Sequence, residues 1–180
     1  MSTPERKYAF SWNDAVGVDI NNVRSGLGDS TKVAVYRLFQ FTLRDVIERQ
    51  YGTEAVDKLF FDAGVLAGKA FFEQYCQNIT DPADLLRTIQ NQFRDLGIGV
   101  VRFEKADVVA MEFQLTVDED LDCSGLPDTA DHICIYDEGF IKGILDSFTG
   151  LDFTVSEIDC WCSGARTCRF RGHLTKNADA

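Results

Sequence analysis

Histidine and positive charge are scarce in this sequence, and long apolar runs are missing altogether. The 180 residues include two histidines, and 18 Lys and Arg stand against 29 Asp and Glu, which gives a formal net charge of −11. A surface of that sign repels nucleic acid and anionic membranes, so we expect neither as a general partner. No stretch of about 18 apolar residues occurs, so no membrane insertion is expected.

A secretory signal, internal repeats and low-complexity linkers are also missing. The first ten residues, MSTPERKYAF, carry charges with no apolar run behind them. We therefore expect a cytoplasmic protein, in which thiols stay reduced. Because 45% of the residues are apolar, with fourteen Phe among them, the chain is expected to be one ordered domain over residues 1–180. Residues 1–29 are rich in turn formers and predict no defined element.

Three helices are expected in the first half of the chain. Residues 30–52 place their apolar side chains on one helical face and end at a glycine. A second helix follows over residues 53–76. A third begins at Asp81-Pro82, where proline suits the first turn, and ends at Gly97.

The second of these helices carries a stripe of small residues. Glycine lowers helix stability, so its presence here indicates tight packing, a cavity wall or a contact between protomers. Two-fold dimers are the commonest assembly of soluble proteins. We therefore predict a homodimer, with a contact through the stripe Ala63, Gly64, Ala67 and Gly68.

After these helices the apolar period changes from helical to alternating. GVVRFE (99–104) and DVVAMEFQLTV (107–117) predict a hairpin with a turn at 105–107, because apolar residues occupy the odd positions of the second segment. An acidic loop follows. The chain then predicts a helix over 134–150 and strands over 151–159 and 167–174. The fold class is α+β: a helical N-terminal half plus an antiparallel sheet with an inserted helix.

Five of the six cysteines lie after residue 122, and three of them fall within EIDCWCSGARTC, residues 157–168. Disulfides, a nucleophilic thiol or a metal would each explain such clustering. A reducing compartment disfavours disulfides. A catalytic thiol needs a partner, and neither His132 nor His173 lies in a nucleophile motif. Structural zinc fits better, although the C-x₂-C spacing is absent and reduced core cysteines are the alternative.

The segment from Cys134 to Phe170 resembles the signature of the 4-vinyl reductase (4VR) domain family, which includes hydrocarbon-binding proteins. That signature is a Cys, a helix with glycine and aromatic residues, Glu-x-x-Cys, and a Cys before an aromatic strand. In the family's phenol-sensing regulators, three Cys and one Glu hold zinc. The resemblance places this set, as a closed structural site, on Cys134, Glu157, Cys160 and Cys168.

Two details of this zinc set follow from the residues. Cys160 and Cys162 share one face of an ideal strand, so one of them is expected to be a bystander, and Cys162 is a softer alternative to Glu157. Glu157 and Cys160 are three residues apart and would point to opposite faces of a regular strand. The site therefore requires a turn or bulge at Ile158-Asp159.

The resemblance also implies the fold of haem-NO-binding and vesicle-tethering-complex subunits, and a pocket for a small hydrophobic or aromatic ligand. Pocket residues of the phenol sensors fall on Met111, Phe113, Ile144 and Val155. Phe113 stands where those sensors have an indole, which favours a more apolar ligand than phenol. An ordinary hydrophobic core is the alternative reading of these four side chains.

Three function classes follow, in this order. The first is a zinc-containing ligand-binding or sensor domain that acts through a partner. The second is a ligand-free interaction module like the vesicle-tethering subunits. An enzyme or accessory factor of the vinyl reductase type comes third, because the sequence has no G-x-G-x-x-G for a nicotinamide cofactor and no histidine on a helix to hold haem. No catalytic residue is predicted.

Overall fold

The structure is a computed structural model, and it describes residues 7–130 and 132–176. Two one-turn helices, α1 (Trp12–Ala15) and α2 (Ile20–Val23), lie in the N-terminal segment, where the sequence predicted no element. The Ser11 side chain caps α1 by accepting a hydrogen bond from the Asp14 amide at 3.4 Å. The Trp12 ring packs edge-on against Tyr75, with 5.6 Å between ring centroids, and so ties this segment to the helical part of the fold.

The three helices predicted in the first half are present: α3 (Val33–Tyr51), α4 (Thr53–Tyr75) and α5 (Pro82–Asp95). Gly52 separates α3 from α4 with φ of 85°, a left-handed conformation that favours glycine. Asp81 caps α5, and its side chain accepts from the amides of Ala83 and Asp84 at 2.7 and 3.2 Å. No helix among the described residues is both long and apolar enough to cross a bilayer.

Four antiparallel strands form one sheet in the order β1-β2-β4-β3. The strands are β1 (Val100–Asp107), β2 (Glu112–Asp118), β3 (Phe153–Asp159) and β4 (Cys168–Leu174), with helix α6 (Ile135–Thr149) inserted between β2 and β3. A 3₁₀ turn, Trp161–Ser163, connects β3 to β4. The predicted α+β class is confirmed.

The hairpin turn between β1 and β2 was placed wrongly by the sequence. It lies at residues 108–111, not at 105–107, and Val109 is 92% exposed instead of lying on the buried strand face. The Asp107 carboxylate accepts from the amides of Val109 and Ala110 at 3.1 and 2.8 Å. That local hydrogen bonding closes the turn and overrides the alternating apolar pattern.

Helix α6 packs on α4 at four glycines, two from each helix: Gly64, Gly68, Gly139 and Gly143. A Cβ atom at Gly64 would lie 2.1 Å from the Tyr136 carbonyl oxygen, so the two backbones are in direct contact. The small-residue stripe is therefore an intramolecular helix contact. The predicted protomer contact through this stripe was wrong, because its glycines are already covered by α6.

The core lies between the sheet and helices α4, α5 and α6. One aromatic ring from each helix meets at its centre, namely Phe71, Phe93 and Phe140, with centroids 5.4–5.9 Å apart in edge-on arrangements. Alternate residues of β2 and β3, including Phe113, Leu115, Phe153 and Val155, complete the core from the sheet side. Helix α3 contributes no buried residue.

Candidate functional site

Four cysteines from separate elements converge at one end of the sheet. Cys134 is the N-cap of α6, Cys160 precedes the 3₁₀ turn, Cys168 begins β4, and Cys123 lies in the loop after β2. The pairing of β3 with β4 shifts register between Glu157 and Asp159, which is the predicted bulge at Ile158. This irregularity lets the chain leave β3 and bring Cys160 to the same site as Cys168.

The four sulfur atoms form one compact cluster, called the thiol cluster below. The Sγ atoms of Cys123, Cys134, Cys160 and Cys168 all lie within 4.8 Å of one another, and all four residues are 0% exposed. Cys134 Sγ lies 3.9 Å from that of Cys160 and 3.6 Å from that of Cys168. A zinc tetrahedron with Zn–S of about 2.3 Å has S–S edges of about 3.8 Å. The thiol cluster therefore has the donor type, number and spacing that tetrahedral zinc requires.

The thiols of the cluster are free and electrostatically coupled. None of the six cysteines is in a disulfide, although Cys123 and Cys168 have sulfur atoms only 3.0 Å apart. Hydrogen bonds from Cys123 first, and then from Cys134 and Cys168, lower the pKa of Cys160 far below that of an ordinary thiol. The pKa values of Cys134 and Cys168 are raised by the same contacts. Negative charge thus concentrates on Cys160, where a cation would be favoured.

Glu157 borders the thiol cluster instead of completing it. Its Oε2 accepts from the Cys134 amide at 3.4 Å, and Oε1 has no partner among the described residues. Burial, followed by the charge of Cys160, raises the pKa of Glu157 to about 8. Cys162 is buried too but lies outside the cluster, and its carbonyl oxygen accepts from the amides of Thr129 and Ala130 at 2.9 Å.

A cavity of about 150 Å³ with three carboxyl groups lies next to the thiol cluster. We call it the acidic cavity; its lining residues are Tyr36, Ile98, Asp120, Leu121, Asp122, Tyr136, Asp137 and Phe140. Asp122 accepts from the Tyr36 hydroxyl at 2.7 Å and the Gln40 amide at 2.8 Å. Burial, and then the charge of Asp122, raises the pKa of Asp120 to about 7, and burial raises the pKa of Asp137 well above its usual range.

A second cavity, the apolar cavity, lies between α5, the sheet and α6. Its volume is about 30 Å³ and every lining residue is apolar, with Phe113 and Ile144 among them. Of the other two predicted pocket residues, Val155 is buried in the core and Met111 lines a surface cleft of about 370 Å³. The apolar cavity and the cleft have shared walls, formed by Pro82, Val108, Phe113 and Phe148. The structure therefore assigns Phe113 and Ile144 to the apolar cavity, and Met111 to its approach.

Comparison with known proteins identifies the part of the chain that carries the thiol cluster. Residues 113–174, which include Glu157 and all four cluster cysteines, match the model of the 4-vinyl reductase (4VR) domain family. Residues 113–174 are a 4VR domain. The predicted family assignment is confirmed.

Similar proteins extend the fold assignment to most of the chain. The uncharacterized protein MJ1642 of Methanocaldococcus jannaschii is 20% identical over 152 residues, which are 84% of this chain and 83% of that protein. A crystal structure of a vinyl-4-reductase family protein from the same organism superposes with a TM-score of 0.63 at 13% identity, covering 96% of this chain and 100% of that one.

Two further structures share the fold. The phenol-responsive sensory domain of the transcription activator PoxR, crystallised with phenol, gives a TM-score of 0.62 at 16% identity, over 80% of this chain and 75% of that one. Trafficking protein particle complex subunit 3 from Naegleria fowleri, covalently bound to palmitic acid, gives 0.56 at 13% identity, over 80% and 95%. The predicted kinship with vesicle-tethering subunits is thus confirmed at the level of fold.

Sequence reasoning missed Cys123 and the acidic cavity of this 4VR domain. Cys123 was treated as an extra cysteine because no spacing motif connects it to Cys134. The signal that could have found it is local: Asp120 lies three residues before Cys123, and its Oδ1 accepts from the amides of Asp122 and Cys123 at 2.8 and 3.2 Å. That D-x-D-C turn is what directs the loop back over the site.

Proposed function

We propose that this 4VR domain binds a small apolar ligand in its interior and signals occupancy to a partner. The observation that carries the proposal is the apolar cavity, whose wall is made wholly of apolar side chains from α5, the sheet and α6. Two proteins of the same fold give support, because one was crystallised with phenol and the other carries palmitic acid. A ligand-binding interior of this kind is usually apolar with few polar groups.

The chemistry of the cavity wall favours a hydrocarbon over a phenol. No lining side chain has a hydrogen-bond donor or acceptor, and Phe113 supplies an aromatic face only. Selectivity would therefore rest on shape. A single water needs about 10–15 Å³ of cavity volume, so a cavity of about 30 Å³ must enlarge to admit a ligand. The neighbouring cleft at Met111 and Val108 supplies the approach, because the exposed hairpin turn forms one of its walls.

Thermal shift measurements with benzene, short alkanes, fatty acids and phenol test the ligand proposal. Apolar compounds are expected to raise the melting temperature, since a ligand at a hundredfold excess over its dissociation constant adds about 2.7 kcal/mol to the free energy of unfolding. Phenol is expected to do no better than benzene. Phe113→Ala should cost about 3–5 kcal/mol and shift the preference to bulkier ligands, whereas Phe39→Ala, at an exposed phenylalanine, should leave ligand preference unchanged.

If no compound in the panel stabilises the protein, and Phe113→Ala only destabilises it, the interaction module is the better assignment. One observation favours that second candidate. Helix α3 buries none of its residues, and its exposed apolar side chains include Val35, Leu38, Phe39, Leu43 and Val46. An apolar helix face of this extent is typical of a protein contact.

We propose that the predicted homodimer forms through this face of α3. Leu38→Glu is expected to convert the dimer to a monomer, because it places a charge in an apolar contact. Light scattering at micromolar concentration measures the change in mass. Val109→Glu is the matched control, since Val109 is an equally apolar and exposed residue on the hairpin turn. A monomeric wild-type protein would refute the homodimer.

We further propose that the thiol cluster holds one structural zinc ion, with Cys123, Cys134, Cys160 and Cys168 as ligands. Glu157 is the alternative to Cys123 as the fourth ligand. Support comes from the burial and spacing of the four sulfur atoms. Four thiolates occupy every position of a tetrahedral zinc ion, so the metal would stabilise the fold instead of activating a substrate. A cytoplasmic location, where the thiols stay reduced, remains the accompanying prediction.

A further inference from the structure

The acidic cavity has the donor atoms of a second metal site. A carboxylate oxygen of Asp120, one of Asp137 and Cys134 Sγ all lie within 4.8 Å of one another. Asp120 Oδ2 and Asp137 Oδ2 are both buried, and neither has a hydrogen-bond partner among the described residues. Buried polar atoms are almost always paired, and a buried carboxylate is especially costly to leave alone. These two oxygens therefore indicate a missing positive charge.

The three acids of the cavity differ in a way that isolates this donor set. Asp122 has both oxygens satisfied, by Tyr36 and Gln40. Asp120 is only 2% exposed, and its Oδ1 is used by the backbone of its own loop. That arrangement fixes the carboxylate and leaves Oδ2 for the cavity that Asp120 lines. Two preorganised acceptors beside a thiol are what a cation would require.

The remaining wall of the cavity provides room but no counter-charge. Its volume of about 150 Å³ accommodates an ion with several water ligands. None of the residues that line it is Lys or Arg. Asp137 lies in the first turn of α6, only three residues after Cys134, so both donors sit on the same rigid element.

We propose that Asp120, Asp137 and the Cys134 thiolate bind a second divalent cation, with Cys134 shared between this ion and the metal of the thiol cluster. Two carboxylates completed by water form an oxygen-rich set, which suits Mn²⁺ or Mg²⁺ better than a purely thiophilic ion. This site is independent of the apolar cavity and of any ligand bound there.

Electron paramagnetic resonance with Mn²⁺ tests the second site. Protein loaded with one equivalent of zinc and freed of excess metal is titrated with MnCl₂, and bound Mn²⁺ is counted from the loss of the free-ion signal. One bound Mn²⁺ per chain is expected. Asp137→Asn and Asp120→Asn should each weaken binding at least tenfold, while Glu119→Gln, which removes the same charge from an exposed neighbour in the loop, should bind as the wild type does.

Wild-type protein that binds no Mn²⁺ would overturn the proposal, and this is the outcome expected if Asp120 and Asp137 merely share a proton. Equal affinity in the wild type and Asp137→Asn would overturn it as well. The wild-type stoichiometry decides the question even if one variant fails to fold. Zinc content measured on the same samples should stay at one per chain in each folded variant, which separates failure of this site from failure of the zinc proposal.

Discussion

Replacing Cys123 by Ala is expected to remove zinc from the 4VR domain, although sequence reasoning gave this residue no role. Cys123 Sγ lies 3.0 Å from Cys168 Sγ inside a fully buried cluster, so its loss leaves a metal with three thiolates and no fourth sulfur. Structural zinc contributes about 10–16 kcal/mol of apparent binding free energy in small domains, and that energy is folding energy. Cys160→Ala should be equally damaging, with the metal lost and the domain strongly destabilised.

Glu157→Gln provides the comparison that identifies the fourth ligand. If Glu157 only supports the cluster through the Cys134 amide, its neutral variant should weaken zinc binding about 10–100-fold, the usual effect of a residue behind the ligands. Cys123→Ala should weaken it by more than about 100-fold. Metal analysis and competition with a chromophoric chelator measure both variants.

Cys162→Ala is the matched control, because Cys162 is a buried cysteine outside the cluster. It should keep one zinc per chain and cost about 1 kcal/mol, as a typical core truncation does. If Glu157→Gln loses the metal and Cys123→Ala keeps it, the ligand set returns to Cys134, Glu157, Cys160 and Cys168. Protein purified without added zinc that contains no stoichiometric metal would remove the zinc proposal altogether.

Gly64→Ala is expected to destabilise the domain even though alanine is the better helix former. The added Cβ would lie 2.1 Å from the Tyr136 carbonyl oxygen and 2.9 Å from the Phe140 amide nitrogen, both backbone atoms of α6. Alanine gains about 1 kcal/mol of helix propensity, but separating two packed helices costs more than that. We expect a net loss of at least about 2 kcal/mol, which lowers the melting temperature by about 4–8 °C.

Gly26→Ala is the control for this prediction, since nothing lies within 4 Å of a Cβ atom there. That change should leave the melting temperature unchanged or raise it slightly. Gly64→Leu should unfold the chain without first changing its association state, because the stripe faces α6 of the same chain. A Gly64→Ala protein that is fully stable but monomeric would show that the stripe is a protomer contact after all.

Local sequence patterns were sufficient for most elements of this fold. Helical periodicity located α3, α4, α5 and α6, and the alternation in EFQLTV and TCRFRGHL located β2 and β4. These patterns work because a helix or strand face is defined by residues two to four apart. Cys134, Cys160 and Cys168 were found together for a related reason, since the 4VR signature that contains them is one continuous segment.

The tertiary structure decided which distant residues meet. The small residues of α4 could have faced a cavity, a second protomer or α6, and only packing selected α6. Cys123 joins Cys168 across 45 positions because Val117 pairs with Cys168 in the β2–β4 ladder, so the loop that leaves β2 begins beside the first residue of β4. The same loop carries Asp120 to Asp137 on α6. A contact of that kind depends on strand register and loop path, which no local period encodes.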